Sequence, residues 1–303
     1  MANLEQILRH RPCYAEFIFT KTLRHRGEVL GFPPNYQGRS FTTDERGYRH
    51  SVFSGQPMSV AEIVRSGRYG LVLGTSRAFA SGVAGNQHTI PSLLSQRFGF
   101  PFANVSLPHA STRNLFSLLY PLMMRPRQRP AAVVQFTTGD LTGLCYTSHA
   151  DPIFGSPNPK QLKTIEEEPK VPVEPDQALE DALSFTSLWT RAVADLCRKS
   201  GVPMVIPQDT SFFEKRQPSA RDVECELGKP SFKYEQRWFK NHKAFAERFY
   251  NRRAGLADRL KVPLAGPGIG NDLGFIDEFH YDEEGTKALA AYIGDALHPL
   301  LTR

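Results

Sequence analysis

Cysteine is sparse in this sequence: Cys13, Cys145, Cys197 and Cys225 are scattered, and no two form a Cys-x-x-Cys pair. That spacing offers neither a disulfide framework nor a zinc site, and it fits reduced thiols in a cytoplasmic protein. Long apolar runs are missing as well. No stretch reaches the roughly 18 consecutive apolar residues that span a bilayer, and the N-terminal MANLEQILRHRPCYAEF lacks the apolar core of a secretory signal. Repeats and low-complexity tracts do not stand out. Nor is there an excess of acid: 37 Lys and Arg face 31 Asp and Glu, for a net charge of +6. The basic residues gather in LRHRPCYAEFIFTKTLRHR, MMRPRQRP and RWFKNHKAFAERFYNRR. Such patches suit nucleic acid, an acidic lipid face or an anionic substrate. Their aromatics follow helical spacing rather than a nucleic-acid module, so a solvated surface that favours an anionic substrate or partner is the preferred reading.

What is present points to an α/β protein. At 303 residues and 40% hydrophobic content, the chain can bury a sizeable core. Apolar runs at 70–73, 102–107, 132–136 and 202–206 read as buried strands. Helical patterns lie between them: 90–98 closing on Gly99, Gln177 to Ser200 stopping before Gly201, and Thr286 to Leu301. Strands alternating with helices imply a parallel sheet covered on both faces, with ligands bound beyond the carboxyl ends of the strands. Residues 1–60, which carry FTTDERGYR, are expected to form an N-terminal extension packed on a domain over 61–303. The polar, proline-rich stretch 145–176 and the similar 209–240 are expected to be excursions that serve as lids or partner surfaces.

One strand end carries chemistry. In LVLGTSRAFASG, residues 71–82, an apolar run stops at Gly74-Thr75-Ser76 and a helical segment follows. Ser76 is there either a helix cap or a nucleophile. A nucleophile needs a base, and among nine histidines His280 stands out in GFIDEFHYDEEGTKALAAYI. Asp277 precedes it by three residues, a spacing that lets a carboxylate accept the imidazole Nδ1–H and leaves Nε2 to take a proton. The same pair also reads as surface residues near a helix start, where Asp282 and Glu283 favour the positive helix end. GTSRAFASGVAG lacks the Gly-Lys-Ser/Thr of a phosphate-binding loop and the glycine spacing of a dinucleotide fingerprint. The glycine-rich GPGIGNDLG, 266–274, reads as a loop that brings the Asp–His block into place. No His, Asp, Glu or Cys set has metal-ligand spacing.

The chain resembles the SGNH (GDSL-type) hydrolases over roughly residues 65–300. Gly74-Thr75-Ser76 matches the Gly-x-Ser of the family's first block, and Asp277-Glu278-Phe279-His280 matches its last, Asp-x-x-His. The resemblance implies a three-layer α/β/α sandwich with a central parallel sheet, flavodoxin-like in order. It implies Ser76 as nucleophile, His280 as base and Asp277 as its orienter. The reaction would act on an O-acyl ester, often O-acetyl on a sugar, with no metal or cofactor. Two blocks depart from the family. His109 stands where the second block has an oxyanion glycine, and Gly139 stands where the third block has the oxyanion asparagine. Losing one oxyanion donor costs about 10²–10³ in kcat. The expected hole therefore uses the Ser76 backbone N–H and an imidazole N–H from His109, with Gly139 leaving room for the ring. The expectation is a serine-dependent ester hydrolase or acyl-transfer enzyme with an acyl-Ser76 intermediate, acting on an acylated small molecule or glycan. The alternative is a catalytically reduced protein that binds a glycan, lipid or protein partner through the same cleft.

Overall fold

The structure, a computed structural model, describes residues 29–107, 110–137, 175–208, 247–268, 272–276 and 280–302, together with Glu16, 24–26 and Thr210. Of the expected excursions, only Pro175, Asp176 and Thr210 fall among these residues. Pro175 and Asp176 are helical, not loop: the long helix starts at Pro175, a position where proline's missing N–H costs nothing.

Two short antiparallel hairpins come first, β1 (Arg24–Arg26) with β2 (Val29–Gly31) and β3 (Ser51–Phe53) with β4 (Gln56–Met58). The second turns on Ser54 and Gly55, both at positive φ (50° and 77°), the conformation a two-residue hairpin turn requires. Helix α1 (Val60–Arg65) then starts on a capping box, in which Ser59 and Glu62 satisfy each other's backbone N–H groups.

The central sheet holds β5 (Gly70–Gly74), β6 (Phe102–Ser106), β7 (Ala132–Gln135), β8 (Met204–Pro207) and β9 (Leu264–Ala265). All neighbours pair in parallel, in the order β6-β5-β7-β8-β9. This is the flavodoxin-like order expected from the sequence, and the four longer strands sit at the four apolar runs. Helices follow β5 and β6: the single turn α2 (Ser76–Phe79) and α3 (Ile90–Phe98) after β5, and α4 (Thr112–Met123) after β6. The rest are α5 (Pro175–Lys199), a helix α6 over 247–260, and α7 (Glu283–Leu301). Gly99 closes α3 at φ 68°, the left-handed cap read from the sequence.

Strand alternation divides the core into two layers. Leu71, Leu73, Ala103, Val105 and Val133 face α1, α4, α5 and α6. Val72, Phe102, Ala132 and Val134 face α3 and α7. Each fully buried aliphatic side chain contributes on the order of 1.5–3 kcal/mol. Burial in the first layer also pushes the Cys197 thiol up to about 12, so it stays protonated and packs as an apolar group.

The topology also fixes where chemistry can occur. β5 lies between β6 and β7, so the chain leaves it toward one side and later returns on the other. Its carboxyl end is the switch point of the sheet, where adjacent loops diverge and leave a crevice.

Candidate active site

Ser76 stands at this switch point. β5 ends at Gly74, whose carbonyl accepts the N–H of Leu107 at 3.0 Å as β6 runs out beside it. A side chain at Gly74 would crowd the Cβ atoms of Ala78 and Phe136, so the turn from strand to helix is as tight as a bare glycine allows. Thr75 is extended and occupies the N-cap position without a side-chain capping bond. Ser76 is thus the first helical residue rather than the cap, and its hydroxyl is engaged elsewhere: Oγ lies 2.8 Å from Nε2 of His280. Ala80, in the left-handed region at φ 62°, stops α2 after one turn.

His280 reaches Ser76 from a hairpin-like pairing of 274–276 with 280–282. Phe275 bridges Tyr281, the N–H of Ile276 donates to the His280 carbonyl at 2.9 Å, and the N–H of Asp282 donates to the Gly274 carbonyl at 3.1 Å. Asp282 then caps α7 by accepting the N–H of Gly285 at 2.8 Å. The hairpin is therefore tied to the start of a long helix whose Leu289, Ile293 and Leu297 are buried against the sheet. Both Ser76 and His280 are half-buried, which leaves an approach for a substrate.

Chemically, a hydroxyl and an imidazole at this distance form a proton-transfer pair. With the proton on Nδ1, the Nε2 lone pair can accept the serine proton as Oγ attacks an electrophile. Of the other expected site residues, Asp277, His109 and Gly139 lie outside the described residues. Among the described residues no cluster of His, Cys, Asp and Glu could hold a metal ion. No described helix is long and apolar enough to cross a membrane.

Two buried arginines beside Ser76 were not singled out from the sequence. Arg49, wholly buried, donates to the carbonyls of Phe79 (3.1 Å), Ala80 (2.8 Å), Val83 (2.9 Å), Gly85 (3.0 Å) and Ser40 (3.4 Å), and through Nε to Asn86 Oδ1 (3.1 Å). Its guanidinium also lies over the rings of Phe41 and Phe79. The turn that presents it is built on Asp44, whose carboxylate accepts the N–H groups of Arg46, Tyr48 and Val60. Arg77, the residue after Ser76, is also buried and donates to the Thr210 carbonyl at 3.1 Å. The available signal was weak: a lone arginine inside the small and apolar Ala78-Phe79-Ala80 context of SRAFA.

Comparison with known proteins adds the following. No family model matches the chain, and no curated protein matches it. Among solved structures, an acetyl xylan esterase, AlAXEase, superposes with a TM-score of 0.48 at 12% identity, covering 76% of this chain and 99% of its own. A member of the lipolytic G-D-S-L family from Veillonella parvula gives a TM-score of 0.45 at 10% identity, covering 78% and 99%. A GDSL-like lipase from Bacteroides thetaiotaomicron gives 0.45 at 13% identity, covering 78% and 90%.

Proposed function

We propose that this chain is an SGNH-type serine hydrolase or acyl-transfer enzyme acting on an O-acyl ester. One observation carries the reading: the Ser76 hydroxyl lies 2.8 Å from His280 Nε2 at the switch point of a parallel sheet. Ser76 Oγ attacks the ester carbonyl while Nε2 takes its proton. The tetrahedral oxyanion collapses, the imidazolium returns the proton to the departing alkoxide, and acyl-Ser76 remains. Water or an acceptor hydroxyl, deprotonated by the same imidazole, then releases the acyl group and regenerates Ser76. Asp277 holds the Nδ1–H tautomer and stabilises the imidazolium. The substrate class is an acylated small molecule or glycan, O-acetyl included, and the chain's net charge of +6 favours an anionic one.

The oxyanion donors are the Ser76 N–H, which has no partner within its own helix as a first-turn group, and the imidazole N–H of His109. Gly139, where the family has an asparagine, leaves the ring its space. His109→Ala should lower kcat about 10²-fold with little change in KM, the signature of an interaction made mainly in the transition state. Gly139→Asn should partly restore that variant. A sharp gain in activity from Gly139→Asn alone would show that the hole lacks a donor and that His109 is not it.

The deciding experiment is a fluorophosphonate probe read by intact mass and peptide mapping. One adduct is expected, on Ser76, and Ser76→Ala should abolish it. Absence of an adduct with probes of several sizes would favour the second reading, which the missing asparagine at 139 supports: a catalytically reduced protein that binds a glycan, lipid or protein partner in the same cleft.

A further inference from the structure

Ser76 and His280 are 204 positions apart, and both are half-buried. One hydrogen bond between two such side chains does not fix their separation, since thermal motion of partly exposed groups competes with it. Their chain neighbours differ. Arg77 is 6% exposed and Tyr281 is 3% exposed. Arg77 Nη1 donates to the carbonyl oxygen of Thr210 at 3.1 Å, and Tyr281 Oη donates to that same oxygen at 2.9 Å. A carbonyl oxygen has two lone pairs, so both bonds form together. Thr210 is wholly buried and follows β8, in a third chain segment separate from those of the serine and the histidine. The two loops also touch directly: a side chain at Gly82 would overlap the Tyr281 carbonyl oxygen.

We propose that Arg77 and Tyr281 are positioning residues that set the Ser76–His280 distance by sharing the Thr210 carbonyl as a common anchor. The proposal rests on the reading of Ser76 as nucleophile and His280 as base. Each donor is one residue from the group it positions, so little backbone freedom lies between anchor and reacting atom. The Tyr281 ring packs tilted against Phe275 at 4.9 Å between centroids, which holds the hydroxyl on its target. Ångström-scale displacement of reacting groups costs about 10²-fold in rate. The two bonds link the segments in series, so loss of either opens the link, while the Ser76–His280 bond itself and the close approach of Gly82 to the Tyr281 carbonyl limit the movement to part of that.

The test uses the full chain and an activated acetyl ester, at a temperature where each variant keeps its native circular dichroism. Tyr281→Phe removes one oxygen and keeps the ring. It should lower kcat about 10-fold, leave KM within about twofold, and slow fluorophosphonate labelling of Ser76 in parallel. Arg77→Met should act alike, and Arg77→Lys, which keeps a cationic donor, should recover much of the loss. Because both ties end on one atom, the double variant should fall no further than about the worse single variant, rather than to the product of the two. Should Arg77→Met fail to fold, Tyr281→Phe decides alone. Wild-type kcat and labelling in Tyr281→Phe, a change in KM only, or multiplicative losses would each overturn the shared anchor while leaving Ser76 as nucleophile. Failure of the wild-type chain to label at Ser76 would overturn the functional reading and this proposal with it.

Discussion

Replacing His280 with alanine should lower turnover of an acyl ester by about 10⁴- to 10⁶-fold, the range seen when the base of a serine-histidine unit is removed. The size follows from what the imidazole does twice per cycle. Without it a neutral hydroxyl must attack, and the departing alkoxide has no acid to protonate it. In the structure Nε2 lies 2.8 Å from Ser76 Oγ, and backbone bonds at His280 and Asp282 hold the segment that carries it. Steady-state kinetics with a chromogenic acetyl ester reads the effect. Asp277→Asn should cost no more than His280→Ala, because an orienting carboxylate never takes the proton itself. Retention of even a tenth of wild-type turnover by His280→Ala would exclude this histidine as the base.

Arg49→Met should destabilise the fold by at least about 3 kcal/mol, because several buried carbonyls lose their donor at once. Methionine fills most of the space, but it donates nothing to the carbonyls of Phe79, Ala80, Val83 and Gly85, all within 3.1 Å of the guanidinium. Each orphaned buried acceptor costs about 1–3 kcal/mol in its own right. These carbonyls also belong to the loop that begins one helical turn after Ser76, so activity should fall together with stability. Arg49→Lys keeps the charge and three donors without the planar fork, and should lie between the two. Urea unfolding gives the comparison. A loss below about 1 kcal/mol for Arg49→Met would mean that the aromatic cluster of Phe32, Phe41 and Phe79 holds the loop unaided.

The contrast between these residues shows what a sequence can disclose. β5 was legible because a strand buried on both faces is a continuous apolar run, and Gly74-Thr75-Ser76 ends it abruptly. α3 was legible through Gly99, and α7 through its apolar period. α4 was not read as a helix: Pro121 sits inside it, and its capping box pairs Ser111 with Asn114 rather than with a glutamate or glutamine. Only the last turn of α4 carries the proline, so a single backbone bond is lost there. Two-residue β9 is too short for any pattern. His280 could be singled out because Asp-x-x-His is local, four consecutive residues of one chain. Arg49 meets four of its five carbonyls 30 to 36 positions away, and Arg77 meets Thr210 at 133. Nothing in the neighbourhood of Arg49 marks it as buried, and Arg77 has only the small, apolar context of SRAFA. In FTTDERGYR the charge pattern reads as solvent, because the acceptors that desolvate Arg49 are main-chain atoms, identical in every residue.

The hairpin that carries His280 leads directly into α7, and this has a consequence for how the molecule comes into being. During synthesis, β5, β6 and β7 emerge and can pair long before α7 exists. Until then Val72, Phe102 and Val134 lack the apolar cover that Leu289, Ile293 and Leu297 later provide. Closing contacts across so much chain is slow, because the intervening loop must lose its entropy first. A nascent or truncated chain therefore has no histidine beside Ser76, and the part of the sheet face that α3 does not cover stays exposed. Docking of α7 covers that face and brings His280 to Ser76 in one event, so on the proposed reading chemical competence arrives together with protection from aggregation.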